Sequence, residues 1–282
     1  MMRQQVINLA KYFINILTWG YFDKFREARG KCRDLQKQYL DLMQNCLTGV
    51  IYEDAPLQVL GQSSYDPMLR EYGWDWPSQA HTMIGSKRLA NVRLLTEKII
   101  SNRIPGDFIE TGVWRGGACI MMRAVLEAYG VKNRRVWLAD SFEGLPAPKP
   151  DLYPADTGEK FHEYKELAVD IEEVKNNFRK YGLLDDQVVF LKGWFKDTLP
   201  SAPVGQLALL RLDGDLYEST ITPLEILYDK VSTGGYVIVD DYHVVKGCAQ
   251  AVKDFCASRL LEPEMVEIGG IGVYWQKTEQ AP

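Results

Sequence analysis

The chain has 282 residues, of which 46% are hydrophobic and 25% charged, as in an ordinary soluble globular protein and unlike a disordered or fibrous chain. Its 33 Lys and Arg residues against 38 Asp and Glu residues give a formal net charge of −5. Nucleic-acid-binding chains usually carry a basic excess, so the composition argues against a nucleic-acid partner. Because the sequence has three histidines, a hard-metal site would depend on carboxylates.

The five cysteines are odd in number and lack a C-x-x-C pair, which favours reduced thiols and a cytoplasmic location. Residues 6–22 are apolar but interrupted by Asn8, Lys11 and Asn15, so no stable membrane span is expected. They also lack the cleavage site of a secretory signal. We expect an amphipathic helix that packs on the body or on a second copy of the chain, which favours a homo-oligomer. A membrane-surface helix is the alternative.

Residues 1–80 are expected to form an extension of helices and loops, with lid or oligomer contacts, and residues 81–282 the main domain. From residue 85 the pattern becomes regular and alternates between helices and apolar strands. The predicted helices are 86–101, 118–129, 171–181, 220–230 and 246–256. The predicted strands are 107–111, 135–140, 188–191, 207–212, 235–239, 264–268 and 271–275. A loop rich in Pro and Gly occupies residues 142–165.

This alternation predicts an α/β fold with a parallel sheet buried on both faces, and the last two strands predict an antiparallel hairpin. In such a sheet, ligands bind at the carboxyl ends of the strands. Acidic residues fall at these ends, namely Glu110, Asp140, Asp213, Asp240 and Asp241. We therefore expect the functional site along this edge.

The segment E-T-G-V-W-R-G-G, residues 110–117, lies between the first strand of the sheet and a helix. Its glycines would let the backbone approach a nucleotide-like ligand closely. Glu110 beside the turn suits a ligand with a cationic amine, such as S-adenosylmethionine, better than the pyrophosphate of NAD. Asp140, at the end of the next strand, could accept hydrogen bonds from a ribose diol. A simple tight turn is the alternative, because the segment lacks the G-x-G-x-x-G pattern.

A second group of acids, Asp213, Asp215, Asp240 and Asp241, follows two strands that we expect to be neighbours. Adjacent strands lie about 4.8 Å apart, so these carboxylates could converge and repel one another unless a cation is bound. Oxygen ligands suit Mg²⁺, Ca²⁺ or Mn²⁺. The alternative is that these acids cap loops and helices or pair with Arg211.

A third segment, residues 192–200, places Gly193 and Trp194 where they could form one wall of an adenine pocket, although such aromatic clusters often belong to the core. Three further expectations concern the histidines. His243 could act as a base or cap the following helix. His162 and Glu163 could reach an acceptor if their loop closes. His81 precedes Thr82 and Met83, which we expect against the donor.

Five motifs in order resemble the macrocin O-methyltransferase family: I-E-T-G-V-W-R-G-G-A, A-D-S-F-E-G-L-P, K-G-W-F-K-D-T-L-P, R-L-D-G-D-L-Y-E-S-T and V-I-V-D-D-Y. Residues 74–85 are similar to the same family at its entry to the donor site, and the resemblance covers about residues 72–275. It implies a Rossmann-like class I methyltransferase fold with a mostly parallel seven-stranded sheet. It also implies a metal- and S-adenosylmethionine-dependent enzyme that methylates a sugar hydroxyl or a phenol of a small natural product in secondary metabolism.

The resemblance further implies that Asp213, Asp240 and Asp241 hold Mg²⁺. Since Asp213 lies between metal and acceptor in this interpretation, we also expect it to accept the proton of the acceptor hydroxyl. The donor contacts expected on the first two motifs are Glu110 on the amine, Gly112, Gly116 and Gly117 at the turn, Asp140 on the ribose and Ser141 beside the adenine. Two other functions remain open at this point. They are an NAD-dependent oxidoreductase on the same fold class and a non-catalytic subunit that binds the donor.

Overall fold

The computed structural model describes residues 33–279 of the chain. The chain divides into two units between Leu42 and Met43. Of the first unit the structure describes residues 33–42, which are helical, and this helix, α1, is described through residue 47. The helix predicted for residues 6–22, and Cys32, lie outside the described residues. The roles predicted for residues 1–80, in a lid or in oligomer contacts, stay predictions.

Seven further α-helices follow in the described part of the second unit: α2 Pro67–Tyr72, α3 Gly85–Ser101, α4 Gly117–Ala128, α5 Ile171–Lys180, α6 Phe195–Thr198, α7 Tyr217–Leu227 and α8 Lys246–Ser258. The strands are β1 Asp107–Thr111, β2 Val136–Asp140, β3 Val188–Lys192, β4 Leu207–Leu212, β5 Val231–Val239, β6 Val266–Ile268 and β7 Gly272–Gln276. Short 3₁₀ turns lie at Val50–Tyr52, Gln58–Leu60, Pro154–Asp156, Phe161–Glu163, Lys165–Leu167, Leu199–Ser201 and Tyr228–Lys230.

The seven strands form one sheet in the order β3-β2-β1-β4-β5-β7-β6. Strands β1 to β5 pair in parallel, whereas β7 pairs antiparallel with both β5 and β6. This confirms the predicted sheet and its C-terminal hairpin. The strand order reverses between β1 and β4, and the crevice above such a reversal is where open α/β sheets bind ligands.

Two element boundaries differ from the predicted ones. Strand β5 begins at Val231 and not at residue 235. The sequence pattern does not show its first residues, because Gly234 has a φ of 83° inside the strand and the β4–β5 register shifts there. Helix α7 begins at Tyr217 and not at residue 220, and its expected last turn is a 3₁₀ turn. In both places a local irregularity interrupts the periodicity on which the sequence interpretation depends.

The sheet interior is apolar, as parallel strands buried on both faces require. All six residues of β4 are buried, and Trp137 and Trp275 are each 1% exposed. Cys46, Cys119, Cys248 and Cys256 are free thiols. None of the helices described within residues 33–279 is long and apolar enough to cross a membrane.

Candidate functional site

The strand ladder continues for one residue beyond β4 and β5, and this aligns the acidic residues at one edge. The Asp213 amide donates to the Thr111 carbonyl at 2.9 Å, and the Asp240 amide donates to the Leu212 carbonyl at 2.9 Å. Both acids therefore leave the sheet at the same height, next to the strand reversal. A cavity of about 690 Å³ opens at this edge, within the usual size range of small-molecule sites.

Most of the predicted site residues line this cavity. They are Thr82, Met83, Glu110, Gly112, Asp140, Ser141, Trp194, Asp213, Asp240 and Asp241. Four others are not among its lining residues: Gly116, Gly117, Gly193 and His243. The structure thus brings the predicted donor and metal residues into one space, and it places the predicted base His243 outside it.

Asp213, Asp240 and Asp241 each offer a carboxylate oxygen, and these oxygens all lie within 4.8 Å of one another. Asp241 is 9% exposed, and its Oδ2 atom is buried without a hydrogen-bond partner. An unpaired buried carboxylate oxygen is costly unless something absent from the protein alone satisfies it. Three converging oxygen donors with one orphaned atom fit a hard divalent cation such as Mg²⁺.

Arg211 forms the buried centre of this acidic group. Its guanidinium donates to Glu110, to Asp213 at 2.6 Å and to Asp240. The sheet register causes this arrangement, because Arg211 lies directly opposite Glu110 and Asp213 follows it on the same face two residues later. The predicted alternative, pairing with Arg211, is therefore present together with the convergence of the three aspartates.

The pKa shifts in this group show how unfavourable its charge is without a cation. Burial, reinforced by Asp213 and Asp240, raises the pKa of Asp215 to about 8. Burial followed by Asp215 and Asp213 raises the pKa of Asp241 well above its ordinary value. Burial also raises the pKa of Glu110 to about 7, while Arg211 opposes that shift. A bound cation would reverse these shifts by stabilising the ionised carboxylates.

Both oxygens of Asp140 accept backbone hydrogen bonds at the carboxyl end of β2. Oδ2 accepts from the Val113 amide at 2.7 Å, and Oδ1 accepts from the Phe142 amide at 2.7 Å. Asp140 thus ties the glycine turn after β1 to the loop after β2. Since each carboxylate oxygen has two lone pairs, it retains acceptor capacity toward the cavity. The Ser141 hydroxyl donates to the Gly144 carbonyl at 2.8 Å.

The glycines of the turn serve close packing within the protein. A Cβ atom on Gly112, whose φ is 88°, would lie 1.9 Å from the Asp213 carbonyl oxygen, and one on Gly117 would lie 2.4 Å from the His81 carbonyl oxygen. On Gly116 it would meet Val174 at 2.8 Å. Gly112 therefore lets the β1 turn approach β4, and Gly116 and Gly117 leave room for neighbouring segments. The donor contacts expected at Gly116 and Gly117 stay predictions.

None of the three histidines lines the cavity that holds the acidic group. His243 has its Nε2 atom 3.4 Å from a Glu267 carboxylate oxygen, and His162 is an exposed residue of the loop after β2. His81 lines a separate, polar cavity of about 320 Å³, and its Nδ1 atom lies 2.8 Å from the Tyr181 hydroxyl oxygen. Burial, with Lys180 and Arg115 nearby, lowers the pKa of His81 to about 4.

Sequence reasoning missed the residues that close the cavity from other parts of the chain. The Trp114 indole donates to the Glu166 carbonyl at 2.8 Å, and Lys149 pairs with Glu218 at 2.6 Å, so the loop after β2 is fastened over the site. Arg88 of α3 donates to Asp240 from 152 positions away in sequence. No local pattern marks such a contact, because only the fold brings its partners together.

A protein-family model described as macrocin-O-methyltransferase matches residues 36–277. The chain is 53% identical over 244 residues to a demethyldecarbamoylnovobiocin O-methyltransferase of Streptomyces niveus, covering 85% of this chain and 93% of that protein. It is 52% identical over 249 residues to an 8-demethyl-8-(2,3-dimethoxy-alpha-L-rhamnosyl)-tetracenomycin-C 4′-O-methyltransferase of Streptomyces olivaceus, covering 87% and 94%.

The solved structure of the O-methyltransferase NovP superposes with a TM-score of 0.83 at 52% identity, over 86% of this chain and all of that one. A calicheamicin methyltransferase, 22% identical with a TM-score of 0.55 over 67% of this chain and 78% of that one, shares the fold. Together with the strand order, these matches confirm the Rossmann-like class I methyltransferase fold. This chain belongs to the macrocin-O-methyltransferase family and is an O-methyltransferase of natural products.

Proposed function

We propose that the chain transfers a methyl group from S-adenosylmethionine to a sugar hydroxyl of a glycosylated natural product, with Mg²⁺ held by Asp213, Asp240 and Asp241. The observation that carries the proposal is the convergence of these three carboxylates within 4.8 Å at the cavity. The Streptomyces olivaceus relative supports a sugar acceptor, because its name specifies a rhamnosyl-bearing substrate and a 4′-O position. The oxidoreductase and the non-catalytic subunit are set aside, because the family is one of O-methyltransferases.

The donor would lie at the β1–β2 end of the cavity, where Gly112, Asp140 and Ser141 line the wall. Asp140 would accept from the ribose hydroxyls, and Thr82, Met83 and Trp194 would enclose the rest of the donor. Glu110 also faces this space, but its oxygens already accept from Arg211 and from the Cys119 thiol. It would therefore act on the sulfonium and amine mainly through its charge. S-adenosylmethionine supplies an electrophilic methyl group on a positively charged sulfur.

Asp213 is best placed to receive the acceptor proton. Its side chain is 24% exposed, whereas that of Asp240 is 2% exposed and accepts from Arg88 and Arg211. Mg²⁺ bound at the three aspartates would lower the pKa of the acceptor hydroxyl. Arg211 fixes the Asp213 carboxylate through Oδ2, so the other oxygen would serve both the metal and the acceptor proton. Catalysis then depends on alignment with the donor methyl group and on the exclusion of water.

The outer wall of the cavity is aromatic, with Trp74, Trp76, Phe161, Trp194 and Phe195 among its lining residues. Trp74 is 51% exposed and Trp194 37% exposed, so both offer ring faces to an entering molecule. Part of the predicted N-terminal extension thus takes part in the site, which supports a lid role for it. Aromatic faces can also pack against a phenol, so the assay described next compares a sugar acceptor with a phenolic one.

The test is methyl transfer by the full-length protein to a rhamnosylated aromatic polyketide and to its phenolic aglycone. Each acceptor would be assayed with S-adenosylmethionine, with EDTA added and after restoring Mg²⁺. We expect transfer to the glycoside that EDTA removes and Mg²⁺ restores. Methyl transfer to the aglycone but not to the glycoside would show that the acceptor group is a phenol and not a sugar hydroxyl. Full activity in metal-stripped protein would contradict the metal centre.

Asp213→Ala tests the proton acceptor in the same assay. We expect turnover to fall by about 10³-fold or more, as for loss of a combined ligand and base, while calorimetric donor binding stays within about threefold of the wild type. Asp229→Ala removes a surface aspartate that pairs with Arg259 and serves as the matched control. A nearly normal rate in Asp213→Ala would remove Asp213 from the mechanism.

A further inference from the structure

Arg88 is a buried cation at the acidic group, and the proposed reaction gives it no role. It lies in α3, is 7% exposed and lines the cavity. Its Nε atom donates to the Ile84 carbonyl at 2.8 Å, and its NH2 atom donates to the Gly73 carbonyl at 3.4 Å. The remaining nitrogen, NH1, donates to Oδ2 of Asp240.

Asp240 therefore has an arginine on each oxygen, Arg211 on Oδ1 and Arg88 on Oδ2. The neighbouring carboxylate of Asp241 has an oxygen with no partner. Without a metal, Arg88 supplies part of the positive charge that buried carboxylates require. With a divalent cation among the same carboxylates, Arg88 would lie close to a like charge, and short-range repulsion between like charges is strong even at an intermediate dielectric.

Arg88 is also attached to the wall of the cavity. Gly73 and Ile84, whose carbonyls hold its guanidinium, enclose the segment that carries Trp74, Trp76 and Met83. The packing there is tight, since a Cβ atom on Gly73 would lie 2.5 Å from NH2 of Arg88. A movement of the guanidinium away from Asp240 would therefore displace or loosen the backbone of residues 73–84.

We infer that Arg88 is a built-in counter-cation, which pairs with Asp240 when no divalent cation is bound and yields that carboxylate oxygen when one binds. The exchange couples occupancy of the metal centre to residues 73–84, the segment that encloses the donor. This inference rests on the proposed function, because it requires the metal centre at Asp213, Asp240 and Asp241.

The experiment measures Mg²⁺ and Mn²⁺ binding by calorimetry, without donor or acceptor, in full-length wild type, Arg88→Gln and Arg93→Gln. Arg93 lies on the same helix and pairs with Glu97 at 3.4 Å, so its variant is the control for loss of a charge on α3. We expect Arg88→Gln to bind metal at least about tenfold more tightly, because the competing cation is gone. Its melting temperature without metal should fall by about 5 °C or more. Arg93→Gln should match the wild type in metal affinity.

Hydrogen exchange of residues 73–84 provides a second measurement, and its first comparison, with and without Mg²⁺, needs only folded wild type. Adding Mg²⁺ should change the protection of this segment in the wild type and leave it unchanged in Arg88→Gln. Arg88→Lys keeps the charge but cannot span all three acceptors, so it should retain metal affinity near the wild-type value and lose the exchange response.

Metal affinity in Arg88→Gln that equals or falls below the wild-type value would overturn the inference, and so would wild-type exchange that ignores Mg²⁺. In either case the metal centre itself would stand, because the wild type still binds the cation. A wild type that binds neither Mg²⁺ nor Mn²⁺ would instead overturn the metal centre, and the inference with it.

Discussion

Asp241 is a carboxylate whose burial strongly disfavours its charged form. Its Oδ2 atom is buried and unpaired, and burial and neighbouring aspartates raise the pKa of its carboxyl well above the ordinary value. A protein tolerates such a group where function requires it, and the cost appears as reduced stability. Stability and activity should therefore respond to its replacement in opposite directions.

Asp241→Asn keeps the shape of the side chain and removes its charge. We expect the metal-free variant to melt at or above the wild-type temperature, because repulsion among the buried carboxylates is relieved. The stabilisation that Mg²⁺ gives the wild type should disappear, and methyl transfer should fall at least about 10²-fold. Thermal unfolding with and without Mg²⁺ measures both effects. A Mg²⁺-induced shift of wild-type size would contradict the role of Asp241 as a ligand.

His81 offers a prediction on pH. Its pKa in the folded protein is lowered to about 4 by burial and by Lys180 and Arg115, against about 6.5 when unfolded. Between these values the unfolded chain binds a proton that the folded chain excludes. The contribution to stability is therefore complete above pH 6.5 and is lost as the pH falls toward 4. Its size is about 3 kcal/mol at most, since the ring is only partly shielded from solvent.

His81→Gln removes the titrating group. We expect the fall of the urea-unfolding free energy between pH 6.5 and 4.5 to become shallower, whatever the variant loses at neutral pH. His162→Gln, at an exposed position, is the control and should keep the wild-type slope. Parallel pH profiles for wild type and His81→Gln would contradict the burial of a neutral imidazole.

In the strand–turn–helix element β1–α4, the structure explains why the turn after the strand carries a glycine. Gly112 lets the turn pass the end of β4, and Asp140 fastens it from the end of β2. The turn thus holds three strand ends in register at the site. Gly112 is the position in this turn where an added Cβ atom would clash most severely.

Gly112→Ala should destabilise the protein well beyond the effect of a left-handed backbone alone. Gly130→Ala is the matched control, because Gly130 also has a positive φ, of 65°, but a Cβ atom added there would have nothing within 4 Å. We expect a loss of about 1–2 kcal/mol for Gly130→Ala and at least about 2 kcal/mol more for Gly112→Ala, with donor binding weakened only in the latter. Urea unfolding and calorimetry give the two values. Equal losses of unfolding free energy in the two variants would show that the turn can shift away from β4 and make room for a Cβ atom.

The regular elements could be predicted because their causes are local. Apolar runs mark β1 to β4, and the spacing of Leu89, Val92, Leu95 and Ile99 marks the buried face of α3. The same spacing places Arg88 beside that face but cannot name Asp240 as its partner. That partnership depends on a contact between α3 and the end of β5, which the sequence does not encode locally.

The candidate site shows the same division. The convergence of the acids after β4 and β5 could be predicted because parallel strands end at a common edge, and their oxygen atoms suit a hard cation. The choice of Asp213, Asp240 and Asp241 among the four acids rests on the family resemblance. The position of His243 beside the β6–β7 hairpin, with Nε2 3.4 Å from Glu267, could not be predicted, because it depends on a strand that is distant in sequence. The role of Gly116 and Gly117 in packing against Val174 and His81 depends likewise on segments distant in sequence.

On the scale of the whole molecule, one cavity is assembled from distant parts of the chain. The 73–84 segment, the strand ends, the loop after β2 and the segment after β3 all contribute lining residues. A volume of about 690 Å³ exceeds what a single sugar or phenol needs, so we expect donor and acceptor to occupy it together. Their reacting atoms would then meet directly beside the acidic group.

This arrangement predicts a sequential kinetic mechanism, in which both substrates bind before any product leaves. Cys119 lies in α4, just after the glycine turn that follows β1; it is fully buried and donates its thiol proton to Glu110 at 2.7 Å. Burial and the Glu110 charge raise the pKa of this thiol well above its ordinary value, so it is a poor nucleophile for a methyl-enzyme intermediate.

Initial rates measured at varied donor and acceptor concentrations should give intersecting double-reciprocal lines. Cys119→Ala, and Cys248→Ala as a second buried thiol, should keep this pattern. Parallel lines, together with a methylated protein trapped when the acceptor is withheld, would show instead that the cavity holds its two substrates in turn.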